Sequence, residues 1–301
     1  MRFLQVGKGH HKNDIGFELL AHEAKATLIK STDVETFKES YDLVWIPQGF
    51  HHSLDFPNAK RIIFGPHNFV FPTQPWIYAF NPIFEKSIYT CLSPYIKGLY
   101  KQFGTFCMPL EPLPFPINIE KFKPSNTIHK YDCFIYFKSR SHNQLKYIEE
   151  FLRERNITFI TILCGKYKEE EYLEILNQVK FGIWFGAHES QGFALQEALS
   201  MNVPLLVLNV RSLNDEINGE GNHSYLEDND NYDLSATSTP YWDERCGIQY
   251  YDLNTLEIPL KTMLETYSTF QPRTYILENL SPAVCYKRIM AAFDTLLMSA
   301  H

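Results

Sequence analysis

Residues 181–200 read Phe181-Gly-Ile-Trp-Phe-Gly-Ala-His-Glu-Ser-Gln-Gly-Phe-Ala-Leu-Gln-Glu-Ala-Leu-Ser200, a strand, a tight loop and a helix in succession. Phe181–Phe185 is a short apolar and aromatic run of strand type. Glycines at 186 and 192 bracket a polar loop. Phe193–Ser200 then carries helix-forming residues. Gly192 stands at the helix entrance, where the lack of a side chain lets a ligand approach the backbone. The N–H groups of Phe193, Ala194 and Leu195 point out of the helix start with the positive end of its dipole, an anion site that suits a diphosphate. Glu189 falls in the loop and Glu197 in the helix, with seven residues between them.

Outward from this stretch the same alternation recurs. In the second half the pattern predicts strand 133–137, helix 143–155, strand 158–163, helix 169–179, strand 181–185, helix 193–200 and strand 204–208. Leu145, Ile148, Phe151 and Leu152 form one helical stripe, and Tyr172, Leu173, Leu176 and Val179 the next, both read as core. The first half has strand-like runs at 3–6, 26–29, 43–46, 61–64 and 87–91, and a helical spacing over 16–24. Ser93-Pro94 reads as a capped helix start, and Gly104 as its stop. Prolines at 109, 112, 114, 116 and 124 mark a linker. The expected architecture is α/β, with two Rossmann-like doubly wound domains facing across a cleft. Expected boundaries are 1–127 and 128–281, with a helix over 282–301 packing back on the first domain.

Length agrees, since 301 residues make about two domains at roughly 150 each. With 28 basic against 35 acidic residues the net charge is −7, which excludes broad binding to nucleic acid or anionic membrane and requires any basic site to be local. The six cysteines are scattered, with no C-x-x-C pair, which fits a reducing compartment. No run of about 18 apolar residues spans a bilayer. A cytoplasmic protein is expected.

The run 181–200 resembles the E-x7-E motif of retaining glycosyltransferases of family four, the sucrose-synthase and glycogen-synthase-like class with the GT-B fold. Pro114-Phe-Pro-Ile-Asn-Ile-Glu-Lys-Phe-Lys-Pro124 resembles the family's closing segment of the first domain, without its glycine. Phe134-Ile-Tyr-Phe-Lys-Ser-Arg140 sits where the family opens its second domain with a strand ending in a basic residue. The resemblance covers most of residues 87–210. It implies transfer of a sugar from a nucleoside-diphosphate sugar to a glycan or lipid-linked hydroxyl acceptor, with retention and without a metal or other cofactor. Glu189 would contact the transferred sugar and Glu197 the ribose. Lys138 and Arg140 would neutralise the departing diphosphate, aided by the amides of 192–195. The family's second cation is a Lys five residues after a Gly-Arg pair. Here Lys138 and Arg140 share one turn and Lys146 follows six residues after Arg140, so the assignment among the three is open. Lys166 and Tyr167 would neighbour the base.

His67 follows a first-domain strand and is a candidate for contact with sugar or acceptor, or equally for anchoring a Pro-rich turn. His51 and His52 carry a weaker version of the same argument. Gly7-Lys8-Gly9-His10 is a glycine loop after the first strand. It lacks the third glycine and the distal acid of a dinucleotide fingerprint, so it suits a glycosyltransferase first domain better than NAD binding. Asp228-Asn229-Asp230 has no strand before it and reads as a solvated loop, not a metal-binding D-x-D. The rival functions are a nucleotide-sugar epimerase or phosphorolytic enzyme of the same fold, and a catalytically silent nucleotide- or glycan-binding subunit. The base, sugar and acceptor are set by loop shape and not by motif.

Overall fold

Short apolar runs separated by helical stretches have one economical solution, a parallel sheet covered on both faces, and this chain builds it twice. The computed structural model describes residues 1–47, 56–66, 85–125, 127–213 and 234–299. The chain divides into two units, residues 1–118 with 279–301, and residues 119–278.

The first unit contains β1 (Arg2–Val6), α1 (His11–Glu23), β2 (Thr27–Ser31), α2 (Val34–Phe37), β3 (Leu43–Ile46), β4 (Ile62–Phe64), β5 (Ser87–Cys91), α3 (Pro94–Phe103) and β6 (Leu110–Pro112). Its strands are all parallel in the order β2-β1-β3-β4-β5-β6. β3 and β5 are buried at every position, as strands covered on both faces require.

In this unit three sequence expectations need correction. α1 starts at His11, not Gly16, because its first turn is polar and carries no apolar period; the His10 carbonyl accepts the amides of Asn13 and Asp14. Ser93 holds the N-cap position and Pro94 the first helical one, but the buried Ser93 hydroxyl has no hydrogen-bond partner among the described residues. The Pro-rich linker contains a strand, β6. It is a sheet edge with one neighbour, where a proline costs no ladder bond on the open side.

The second unit contains β7 (Tyr131–Phe137), α4 (His142–Glu154), β8 (Phe159–Leu163), α5 (Glu169–Leu176), β9 (Val179–Phe185), α6 (Phe193–Ser200), β10 (Leu205–Leu208), β11 (Gly247–Tyr250), α7 (Glu257–Thr266) and α8 (Pro272–Asn279). The strand order is β11-β10-β9-β7-β8, again all parallel. α5 ends at Leu176, and Val179, read as its last apolar position, opens β9. The Asn177 side chain donates to the Leu173 carbonyl and closes the helix. β11, α7 and α8 follow a polar stretch and were not anticipated.

Alternate strand residues face opposite layers. Cys133, Ile135 and Phe137 of β7, with Phe181, Ile183 and Phe185 of β9, pack on Leu145, Ile148 and Leu152 of α4 and on Leu260 and Met263 of α7. Phe134, Tyr136 and Trp184 face the other way, where Tyr172 of α5 meets the rings of Phe134 and Tyr136. Arg273 of α8 clamps the unit's first residues, donating to the carbonyls of Ile119, Phe122 and Ser200. The chain then returns to the first unit, where α9 (Pro282–Ser299) lies beside α1 with Cys285, Ile289 and Phe293 buried.

In each sheet the first strand is interior: the chain leaves it to one side for its second strand and returns on the other side for its third. The helices therefore diverge at the carboxyl ends of β1/β3 and of β7/β9, and such divergence opens a crevice where ligands bind in open α/β sheets.

Candidate functional site

At the β7/β9 switch point the ladder runs one step past the strands: the Lys138 amide donates to Phe185 O (3.1 Å) and the Ala187 amide to Lys138 O (3.2 Å). This draws the turn 138–140 against the loop 186–191. Ser139 has φ +52°, which reverses the chain so that the two cations part. Lys138 Nζ donates to Glu189 Oε1 at 2.7 Å. Arg140, only 9% exposed, instead donates from Nε to Gly186 O (2.7 Å) and from a terminal nitrogen to Leu208 O (3.1 Å). Arg140 thus ties together the ends of β7, β9 and β10. Lys146 lies on the exposed face of α4 beside Glu150, away from both.

The Glu189 side chain is 11% exposed and that of Lys138 31%. A carboxylate this shielded is compensated by direct contact with its ammonium, and loss of the Lys138 ammonium strands the carboxylate. The Glu189 amide donates to Thr237 O (3.0 Å), so segment 234–239 braces the loop. Behind it Gln191 and Gln196, at most 1% exposed, are joined by two hydrogen bonds that lock loop to helix.

Gly192 caps α6 in the left-handed region (φ +85°, ψ +51°), and among the described residues no side chain caps the first turn. An alanine here would be strained by its backbone alone. Phe193 and Ala194 are half-buried, so the helix start opens outward. Glu197, one to two turns on, is 4% exposed. Its charge, together with that of Glu189, reaches Tyr167, whose phenol is pushed up to about 12 chiefly by burial. The two glutamates and Tyr167 therefore share one electrostatic neighbourhood. Lys166 is exposed in the turn after β8, which Gly165 shapes with φ +74°.

The sequence reading missed the aromatic wall beside these groups. Tyr136 stacks on Trp184 with centroids 4.1 Å apart and planes 4° apart. The hydroxyls of Tyr136 and Tyr167 are 3.2 Å apart, and Tyr172 OH donates to Ala194 O (2.7 Å), fixing the α6 start from below. Tyr172 was read as core, which it is; only the position of α6 makes its hydroxyl part of the site. Gly186 is needed here, because a Cβ would fall 2.7 Å from the Trp184 ring nitrogen.

Gly7, Gly9 and His10 lie at the β1/β3 switch point of the first unit. Gly7 has φ +75°. The Gly9 amide donates to Asp14 Oδ1 (2.9 Å), and a Cβ on Gly9 would meet Trp45 and Pro47, so this glycine serves close packing against the end of β3. His10 holds the N-cap position of α1. His67, His51, His52 and Asp228–Asp230 lie outside the described residues. Among the described residues no three His, Cys, Asp or Glu side chains gather to hold a metal, and no helix is long and apolar enough to cross a membrane.

Thiol reactivity offers a check on this geometry. Cys164, exposed beside Tyr136 and Tyr167, is expected to alkylate first. Cys91, Cys246 and Cys285 are buried with thiols pushed up to about 12, and are expected to stay unmodified in the native protein. Mass spectrometry after limited alkylation reads the order, and early modification of a buried thiol would contradict the packing.

Neither a family model nor a curated protein sequence matches the chain. Among solved structures it is similar to the apo form of the lipopolysaccharide outer core galactosyltransferase WaaB (12% identity, TM-score 0.55, all of both chains). It is also similar to sucrose-phosphate synthase from Thermosynechococcus elongatus (10%, TM-score 0.55, 99% of this chain and 100% of that one). A third is Anabaena HepE in complex with UDP and glucose (9%, TM-score 0.52, 97% and 98%). At these identities the similarity establishes the fold, two Rossmann-like domains of GT-B type.

Proposed function

We propose that the chain is a glycosyltransferase, moving a sugar from a nucleoside-diphosphate sugar to a hydroxyl of a glycan or lipid-linked acceptor, with retention and without a metal ion. The observation that carries the reading is the meeting of the Lys138–Glu189 pair with the uncapped start of α6 at a sheet switch point. Departure of a nucleoside diphosphate builds negative charge on its oxygens. A preorganised ammonium and oriented amide donors stabilise that charge more in the transition state than in the bound donor. Lys138 and the N–H groups of Phe193, Ala194 and Leu195 supply them, and Gly192 admits the phosphates to the backbone.

On this reading Glu189 accepts from a hydroxyl of the transferred sugar and Glu197 from the ribose. Tyr167, a neutral phenol at physiological pH, and Lys166 flank the base. Arg140 adds positive potential while holding the Gly186 carbonyl. The carboxyl edge of the first sheet, with Gly7, Gly9, His10 and His67, is assigned to the acceptor. A cytosolic location belongs to the same reading, in keeping with the scattered cysteines.

Thermal shift with UDP, GDP and ADP tests the donor site, since a ligand that binds only the folded state raises Tm with its concentration. One of the three is expected to stabilise the protein and to slow Cys164 alkylation. Turnover is expected to survive a chelator; abolition by EDTA with rescue by Mg²⁺ or Mn²⁺ would sink the metal-free mechanism. Glu197→Ala is expected to weaken nucleotide binding roughly tenfold or more, the value of a hydrogen bond to a charged acceptor. Unchanged nucleotide affinity would remove Glu197 from the site.

A further inference from the structure

The segment that braces the Glu189 loop is itself hung on one side chain. Asn209 directly follows β10, is 6% exposed, and is anchored by its own amide, which donates to Tyr250 O at the end of β11 (2.8 Å). Its Oδ1 accepts from the amides of Val210 (2.9 Å) and Ser238 (2.7 Å) and from Thr237 Oγ1 (3.1 Å). Two main-chain donors on one oxygen fix which end of the side-chain amide is which. Nδ2 is left to donate to Thr239 Oγ1 (3.3 Å).

Proton direction orders the hydroxyls around it. Gln249 Nε2 donates to Thr239 Oγ1 (2.7 Å), which lies 3.2 Å from Thr237 Oγ1. With the Thr237 proton spent on Asn209, Thr239 is the donor of that pair. Thr237 Oγ1 also accepts the amide of Thr239 (3.0 Å), which closes a tight turn at 237–239. Donors thus run one way, from Gln249 on β11 through both threonines, and end on the Asn209 carbonyl. The same turn presents Thr237 O, the acceptor of the Glu189 amide (3.0 Å).

We infer that Asn209 is a positioning residue for Glu189, setting the place of the carboxylate that reads the transferred sugar; that last role rests on the glycosyltransferase reading above. Asn209 touches no substrate in this assignment and acts through Thr237. A loop without regular structure takes its position from the fixed groups it bonds, and Asn209 follows a strand buried at every position. A misplacement of about 1 Å in a group that orients a substrate can cost on the order of 10²-fold in rate. The groups assigned to the diphosphate are held by other contacts, the Lys138 amide on Phe185 O and the α6 start by Tyr172 OH. Rate and nucleotide affinity are therefore expected to separate.

Hydrogen exchange over residues 186–191 of the full chain reads the brace without any substrate. Asn209→Leu removes acceptor and donor together. Thr237→Val removes only the hydroxyl link to Asn209 and Thr239, and serves where the first variant, with two stranded amides, does not fold. Either is expected to speed exchange at Glu189 roughly tenfold or more, the value of about one hydrogen bond, while α4 keeps its protection. Asn209→Asp keeps every acceptor contact and is expected to keep the loop protected. In turnover, Asn209→Leu or Thr237→Val is expected to lower kcat roughly tenfold or more, with nucleoside-diphosphate affinity within a few-fold of the parent. In a Glu189→Gln background the same substitution is expected to cost less than about twofold further, because the group being positioned is already lost. Unchanged loop exchange, equal losses of rate in both backgrounds, or a nucleotide affinity that falls with the rate would overturn the inference. Loop exchange that responds as expected, in a protein that binds no nucleoside diphosphate, would uphold the brace and defeat the transferase reading.

Discussion

Lys138→Met is expected to lower turnover by roughly 10²–10³-fold, the cost of removing one preorganised donor from developing negative charge. Methionine keeps most of the stem and removes the ammonium, so packing changes little while, on the proposed reading, the diphosphate loses its point charge. The substitution also strands Glu189, whose side chain is 11% exposed and paired through Lys138 Nζ at 2.7 Å. Some stability is therefore lost as well, and a double variant separates the two effects. Lys138→Met with Glu189→Gln removes both charges; it is expected to recover Tm and to leave turnover as low as in the single variant. Steady-state release of nucleoside diphosphate with acceptor present reads the rate, and calorimetry the stability. A Lys138→Met enzyme within a few-fold of the parent rate would remove Lys138 from the chemistry.

Gly247→Ala is expected to cost the second unit about 3 kcal/mol, from forced backbone strain together with overpacking. Gly247 opens β11 with φ +135°, and it faces Leu205 in the parallel ladder. A Cβ there would fall on the Leu205 carbonyl oxygen and 2.7 Å from its amide nitrogen, backbone atoms that cannot rotate away as a side-chain tip can. At roughly 2–4 °C per kcal/mol for a unit of this size, Tm falls by roughly 6–12 °C. Gly98→Ala is the control: it lies inside α3 with open space around its Cβ position, and is expected to be neutral or stabilising by up to about 1 kcal/mol. Equal melting temperatures for the two alanine variants would refute the steric account of β11.

Part of this architecture was legible one segment at a time. The runs at 43–46, 87–91, 133–137 and 181–185 are strands because a parallel strand buried on both faces is a short continuous apolar run, and that needs no knowledge of neighbours. β11 was not legible, since Gly247-Ile-Gln-Tyr250 is half polar and becomes a strand only through the edge of β10. β6 was hidden for the same reason: a proline-bearing tripeptide is a strand only beside the open edge of β5. The corrected helix starts and ends were likewise decided by contacts, such as the Asn177 side chain closing α5.

By itself, then, the sequence determined the α/β alternation, the loop-to-helix turn at Gly192 and the identity of the charged candidates, because these depend on residue type over a few neighbouring positions. Only the tertiary structure decided how the candidates are used. Strand order laid β7 beside β9, and that adjacency brought Lys138 to Glu189 across 51 residues of chain. The reversal at Ser139 sent Arg140 to the carbonyls of Gly186 and Leu208, while Lys146, in the same basic cluster of the sequence, was left in solvent. A charge's role depends on the distance and burial of its partners, and those quantities come into being only when distant segments are packed together.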